Sequence, residues 1–227
     1  MKKIIILTTL MLGASTVFGQ QTLLLERSSS NLLAGISSAN KEVNLPKEIK
    51  GSQYFQENFM YAFVDDMNKP FKMRYNAYFD EMEFDNDGVI YDLDKNQYKV
   101  INFDDLNKKF IIAEYSDGNK IVNGYLVEIV GEGDVLLYKR EKMEFSEAKK
   151  SGTGFGIDTP PAYKPKKDDF FVKIAGGSII PLPSSKSKIM DLFGDKSKAL
   201  NSFVKENRIS LNSEKDLKRL FQYANSI

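Results

Sequence analysis

Apolar and polar residues alternate with a period close to two over residues 59–145, and apolar residues recur with a period near 3.6 over residues 189–224. The first pattern predicts antiparallel strands with one buried face, the second short amphipathic helices. The alternation is cleanest at Phe71, Met73, Tyr75, Ala77 and Phe79, set against Lys72, Arg74, Asn76 and Asp80. Its phase flips at Met82 and Phe84, which predicts a bulge or tight turn near Asp80-Glu81.

Asp- and Gly-bearing turns punctuate this region at regular spacing. Asn86-Asp87-Gly88, Asp117-Gly118-Asn119 and Gly131-Glu132-Gly133-Asp134 each separate two β-rich runs, the mark of consecutive hairpins. Residues 146–169 lose the alternation and read as a long irregular connection. Residues 170–174 and 178–182 predict a last β pair turning at Gly176-Gly177. Beyond it, Ile189, Leu192 and Phe193 mark one helical turn ended by Gly194. Leu200, Phe203 and Val204 mark a second helix with Asp195 as its cap. Leu217, Leu220, Phe221 and Ala224 mark a third, capped by Asn212 or Ser213. The expected fold is α+β and mainly antiparallel β. A β-meander, curled or barrel-like, occupies residues 52–183, and a helical segment occupies residues 184–227.

The N-terminus adds a location. Lys2 and Lys3 precede a short apolar run and then small residues to Gly19, the layout of a secretory signal peptide. Residues 1–19 are expected to be removed on export and residues 20–51 to form a leader into the domain. The apolar run is about half the ~20 residues needed to cross a bilayer. The sequence contains no cysteine, so a lipid-modified cysteine, disulfides and thiolate chemistry are excluded. The expected location is periplasmic or extracellular, without a lipid anchor or a transmembrane segment in the mature chain. Histidine is also absent, which excludes Ser-His-Asp and Cys-His hydrolysis and His-based zinc catalysis.

The net charge of +1 hides an asymmetry. Residues 52–147 hold 20 acidic and 11 basic side chains, a balance of −9. Residues 148–227 hold 8 acidic and 15 basic, a balance of +7. Two readings follow: the regions attract each other within the molecule, or the basic one faces an anionic partner. The basic residues are scattered among apolar helix positions, which argues against nucleic acid as that partner.

Two stretches carry a family resemblance. One is Met73-Arg74-Tyr75-Asn76-Ala77-Tyr78-Phe79-Asp80-Glu81-Met82-Glu83-Phe84, with Gly51-Ser52-Gln53-Tyr54-Phe55 upstream. The other is the tail from Ile189-Met190-Asp191-Leu192-Phe193-Gly194-Asp195 to Leu220-Phe221-Gln222-Tyr223-Ala224-Asn225. Over roughly residues 50–227 the chain resembles a group of uncharacterised exported β-rich proteins of Gram-negative bacteria with a helical C-terminal tail. The resemblance implies a shared fold and an envelope location, and no reaction.

Candidate chemistry is sparse. Glu83, Asp85, Asp87 and Asp94, with Gly88 in the sharp turn, follow the spacing of a calcium-binding loop. Strand-like flanks and Glu in place of Asp at the first position oppose it, so millimolar or no calcium affinity is expected, and an acidic hairpin turn is the plainer reading. Glu81 and Glu83 share a strand face about 7 Å apart, a spacing compatible with a carboxylate hydrolase. Ser185-Lys186-Ser187-Lys188 satisfies Ser-x-x-Lys but reads as a loop and helix cap. Gly152-Thr153-Gly154-Phe155-Gly156 reads as a loop. Phe71, Tyr75 and Phe79 could line a groove for an apolar or peptide ligand, or simply pack a core.

The function expected from sequence is a non-enzymatic envelope protein, a binding or interaction module for another envelope protein or a small apolar or peptide ligand. The alternatives are a hydrolase using carboxylates near residues 80–87 and a membrane-surface adaptor using the basic C-terminal region.

Overall fold

The computed structural model describes residues 36–39, 49–150 and 159–227. The expected signal peptide, most of the leader, and the Gly152-Thr153-Gly154-Phe155-Gly156 run lie outside the described residues. The strands are β1 (Ile36–Ala39), β2 (Met60–Val64), β3 (Phe71–Asn76), β4 (Glu81–Asn86), β5 (Val89–Leu93), β6 (Val100–Phe103), β7 (Lys108–Asp117), β8 (Lys120–Val130), β9 (Val135–Ser146), β10 (Ala162–Ile174) and β11 (Ile180–Pro181). Three helices follow: α1 (Lys186–Asp191), α2 (Ser197–Glu206) and α3 (Glu214–Ser226). The strands form one curled, mainly antiparallel sheet in the order β1-β5-β4-β3-β2-β6-β7-β8-β9-β10-β11.

Hairpins build outward from β2 in both directions. β3, β4 and β5 step away on one side, and β6 returns to the other side of β2 to start the second run. Asp65 fixes that return. Its carboxylate accepts from the Lys99 and Val100 N–H groups at 2.9 and 2.7 Å. The Asn86-Asp87-Gly88 turn is a two-residue hairpin whose central residues both have positive φ, 53° and 86°. That geometry suits the strand twist, and Gly and Asp tolerate it best.

The β8–β10 end of the sheet is covered on both faces, so short continuous apolar runs, residues 135–138 and 170–172, replace the alternation there. Leu137 and Val172 pack beneath the helices with Leu200, Leu217, Leu220 and Phe221. Leu126, Tyr138 and Phe171 on the opposite face pack with Tyr115 and Ile179. Ser185 caps α1 by accepting from the Lys188 N–H at 3.3 Å, and Ser213 caps α3 by accepting from Asp216 at 3.4 Å. Asp195 does not cap α2 as expected. It sits in a 3-10 turn, Gly194–Lys196, that runs directly into the helix, and Lys196 occupies the cap position. Among the described residues no helix is long and apolar enough to cross a membrane.

Strand β10 starts at Ala162, well inside the expected irregular connection. Pro165 and its neighbouring lysines hide it in the sequence. Pro165 lies opposite Met143, where it needs no N–H toward β9, and faces the outer edge of the sheet.

Candidate functional site

Strands β8 and β9 pair only close to their hairpin, from Val130↔Leu137 to Val127↔Lys139. Beyond that point they part. β8 stays with β7 as far as Lys120, and β9 stays with β10 as far as Ser146. The β3–β4 turn enters the opening between them. The Met143 N–H donates to the Ala77 carbonyl at 3.1 Å, and the Tyr125 N–H donates to Asp80 Oδ1 at 3.2 Å.

Asp80 holds this wedge. It has a φ of 56° and also accepts from the Tyr75 hydroxyl at 2.8 Å and Lys95 Nζ at 2.7 Å. Burial pushes the Tyr75 hydroxyl well above the usual tyrosine range, and the neighbouring Asp80 carboxylate adds to that. Gly124 makes room for the wedge. A Cβ there would lie 2.6 Å from Asp80 Oδ2 and 3.0 Å from the Tyr115 hydroxyl. A glycine inside a strand often marks such a close approach.

The wedge and the edge of β9 bound a groove of about 350 Å³, with walls that include Tyr75, Tyr78, Arg140, Lys142, Phe145 and Lys166. Tyr78 is 38% exposed and packs on Phe79, Phe145 and Tyr163, with ring centroids 4.8, 6.4 and 5.1 Å away. Arg140 donates to Asp117 and Asp169 at 2.8 Å each and to the Tyr115 hydroxyl at 3.2 Å. Burial works against its charge, but these bonds outweigh it and hold the guanidinium above its ordinary pKa. Lys142 also donates to Asp169.

A second charged cluster reaches the groove through Glu141. Glu141, 7% exposed, accepts from Lys108 at 2.9 and 3.0 Å. Lys139 joins Glu141, Asp168 and Glu214 at 3.2, 3.7 and 2.8 Å, tying the sheet to the start of α3.

The adjacent residues Asp168 and Asp169 therefore titrate oppositely. Burial raises the Asp168 pKa despite Lys139. Burial also opposes the charge of Asp169, but the bonds from Lys142 and Arg140 outweigh it and lower its pKa. A raised carboxyl contributes stability in acid that is lost as pH rises through its folded pKa. A lowered one contributes stability above the unfolded value of about 3.9, lost as pH falls through its folded pKa. Asp168→Asn is thus expected to raise the thermal midpoint at pH 7, a gain that shrinks in acid. Asp169→Asn is expected to lower it. Thermal unfolding followed by circular dichroism from pH 3 to 8 checks both signs.

The calcium candidates do not converge. Glu83 is held by Arg74 and Tyr54 at 2.7 Å each and by Asn76 at 3.1 Å. Asp85 accepts from the Gly88 N–H at 2.8 Å, closing its own turn, in which Asp87 is a central residue. Asp94 accepts from the Asn96 N–H at 2.9 Å in a separate turn. Among the described residues no group of three or more acidic, His or Cys side chains is arranged to hold a metal ion.

The three groove candidates also separate. Phe71 is buried against Phe84, with ring centroids 5.6 Å apart. Tyr75 packs between Phe110 and Tyr125 and reaches the groove. Phe79 is 42% exposed in the wedge turn, against Tyr78. Lys142, Phe145 and Lys166 fall outside the candidates that the sequence offers. Only Gly124, an isolated glycine in a strand-like run, signalled the close approach.

No protein-family model matches the chain, and no curated protein or solved structure matches it. The fold and the groove define a curled antiparallel sheet with a C-terminal helical segment and an opening between two parted strands.

Proposed function

We propose that this chain is an exported, non-enzymatic binding protein that takes an extended peptide in the groove between the β3–β4 turn and β9. The observation that supports this reading is the orientation of the β9 edge. Pro165 has no N–H, so Met143↔Pro165 is a non-hydrogen-bonded pair and Met143 turns its N–H and carbonyl away from β10. The β3–β4 turn already takes the Met143 N–H through the Ala77 carbonyl. By the two-residue repeat, the backbone groups of Glu141 and Phe145 face the same opening, beyond the last β8–β9 pair. An extended peptide recognises such an edge through its main chain and is selected by pockets for alternate side chains. Of the carboxylates near residues 80–87 offered for hydrolysis, Asp80 and Glu83, the latter one of the Glu81–Glu83 pair, each hold several hydrogen bonds within the fold. The export pattern of residues 1–19 and the envelope resemblance support the compartment.

The test uses the absence of tryptophan from the chain. A tryptophan-bearing peptide then reports binding by its own fluorescence, while amide NMR shifts locate it. Shifts at Glu141, Met143, Phe145 and Tyr78 are expected. Shifts confined to α1–α3, or none with any peptide of a varied set, overturn the reading.

A further inference from the structure

The sheet is finished differently at its two ends. At the β11 end it closes on itself: Ile179 bridges to Tyr115, and its carbonyl accepts from the Ser116 N–H at 3.1 Å. The outer edge of β10 is covered first by the Lys50 backbone, which donates to the Pro161 carbonyl at 2.9 Å and accepts from the Tyr163 N–H at 2.8 Å. Past that contact its own residues blunt it, Pro165 without an N–H and the exposed Lys164, Lys166 and Lys167. Proline and lysine discourage a further strand from pairing there.

β5, at the other end, has neither residue. Its Val89, Ile90 and Tyr91 are β-branched or aromatic, and Val89 is 46% exposed. An edge of this composition is a template for another strand. The chain covers it with β1, which comes from the leader and not from the meander, through the pairs Ile36↔Leu93, Ser38↔Asp92 and Ala39↔Tyr91. The cover is slight. β1 has four residues, its register shifts between Ile36 and Ser38, and its pairing stops at Tyr91, short of Val89 and Ile90. Ser37, Ser38 and Ala39 are neither β-branched nor aromatic, the types that suit a strand best.

We propose that the β5 edge is a strand-acceptor site, held closed by residues 36–39 of the same chain and taken by an extended, β-branched segment of a partner protein that displaces them. The pairing of β1 defines how the partner lies: antiparallel to β5, with an apolar residue opposite Leu93 and a β-branched one opposite Tyr91. Main-chain bonds to β5 supply affinity. β1 competes from within the chain, at an effective concentration that a free segment of equal sequence does not reach. Only a better strand former enters, so the weak cover acts as a selectivity filter. This site is separate from the groove beside β9 and does not depend on it.

The test exploits the absence of cysteine and tryptophan from the chain. Ser38 and Asp92 are directly opposite, and such neighbours stand about 4.5–5.5 Å apart, within reach of a disulfide. The full chain carrying Ser38→Cys and Asp92→Cys therefore locks β1 on β5 when oxidised and releases it when reduced. The probe is a synthetic peptide copying residues 34–41 with Ser37→Thr, Ser38→Thr and Ala39→Val and a terminal tryptophan, titrated by its fluorescence. The reduced chain is expected to bind it at least about tenfold tighter than the oxidised chain. The same peptide with Ser38→Pro is expected to bind neither form. Failure of the disulfide to form within the chain overturns the proposal, because β1 then does not lie on β5. Equal binding by the oxidised and reduced chains, equal binding of the proline peptide, or no binding to the reduced chain overturns it as well.

Discussion

Arg74→Met is expected to lower the unfolding free energy by about 3–5 kcal/mol, the cost of leaving one partner of a buried ion pair uncompensated. Arg74 is 18% exposed at its side chain and Glu83 10%, and their atoms are 2.7 Å apart. The guanidinium also donates to the Tyr54 hydroxyl at 2.9 Å and the Glu57 carbonyl at 3.0 Å. It lies 4.0 Å from the Tyr54 ring centroid and 4.3 Å from that of Phe59. Arg74 therefore anchors residues 54–59 to β3 and β4. Met keeps the apolar stem and removes the charge and donors, so the loss reads out the electrostatics. Double substitution with Glu83→Gln is expected to recover a large part of it, because the buried carboxylate is then gone. Urea unfolding of the single and double variants measures both. A loss below about 1 kcal/mol in the single variant would place this pair with ordinary surface bridges.

Phe221→Ala is expected to cost about 3–5 kcal/mol, the range for truncating a large buried side chain. Leu217, Leu220, Phe221 and Ala224 form one fully buried face of α3, and Phe221 meets Phe193 edge-on at 5.4 Å. These contacts join α3 to α1 and to the β8–β10 end of the sheet. Lys218 on the exposed face of the same helix provides the control, with Lys218→Ala expected within about 0.5 kcal/mol of the parent. The same urea transitions report both, and a Phe221 effect as small as that of Lys218 would mean that the helices do not belong to the cooperative core.

The fold was legible wherever short-range chemistry decides it. Asn86-Asp87-Gly88 and Asp117-Gly118-Asn119 marked hairpins because those turns require residues that tolerate positive φ. Leu217, Leu220, Phe221 and Ala224 marked a buried helix face because their spacing leaves no other way to group them. The groove was not legible, because long-range register creates it. Lys142 and Lys166 become neighbours only once β9 and β10 are aligned, and the alignment tolerates Pro165 for a reason visible only in that pairing. Asp85 and Asp94 matched a metal-loop spacing, yet the backbone N–H groups nearest to them are those of their own turns. The reach of Asp80 to Tyr125 spans 45 residues, and no local pattern reports it.

That reach also imposes an order in time. The Ala77–Asp80 turn can seat only between two strands that already stand apart, each held by its outer partner. The β7–β8 and β9–β10 pairings are therefore expected to form first and the turn to dock late in folding. Interactions made after the rate-limiting step govern how fast the native state is lost. Asp80→Ala is accordingly expected to speed unfolding far more than it slows refolding, which stopped-flow mixing in both directions checks.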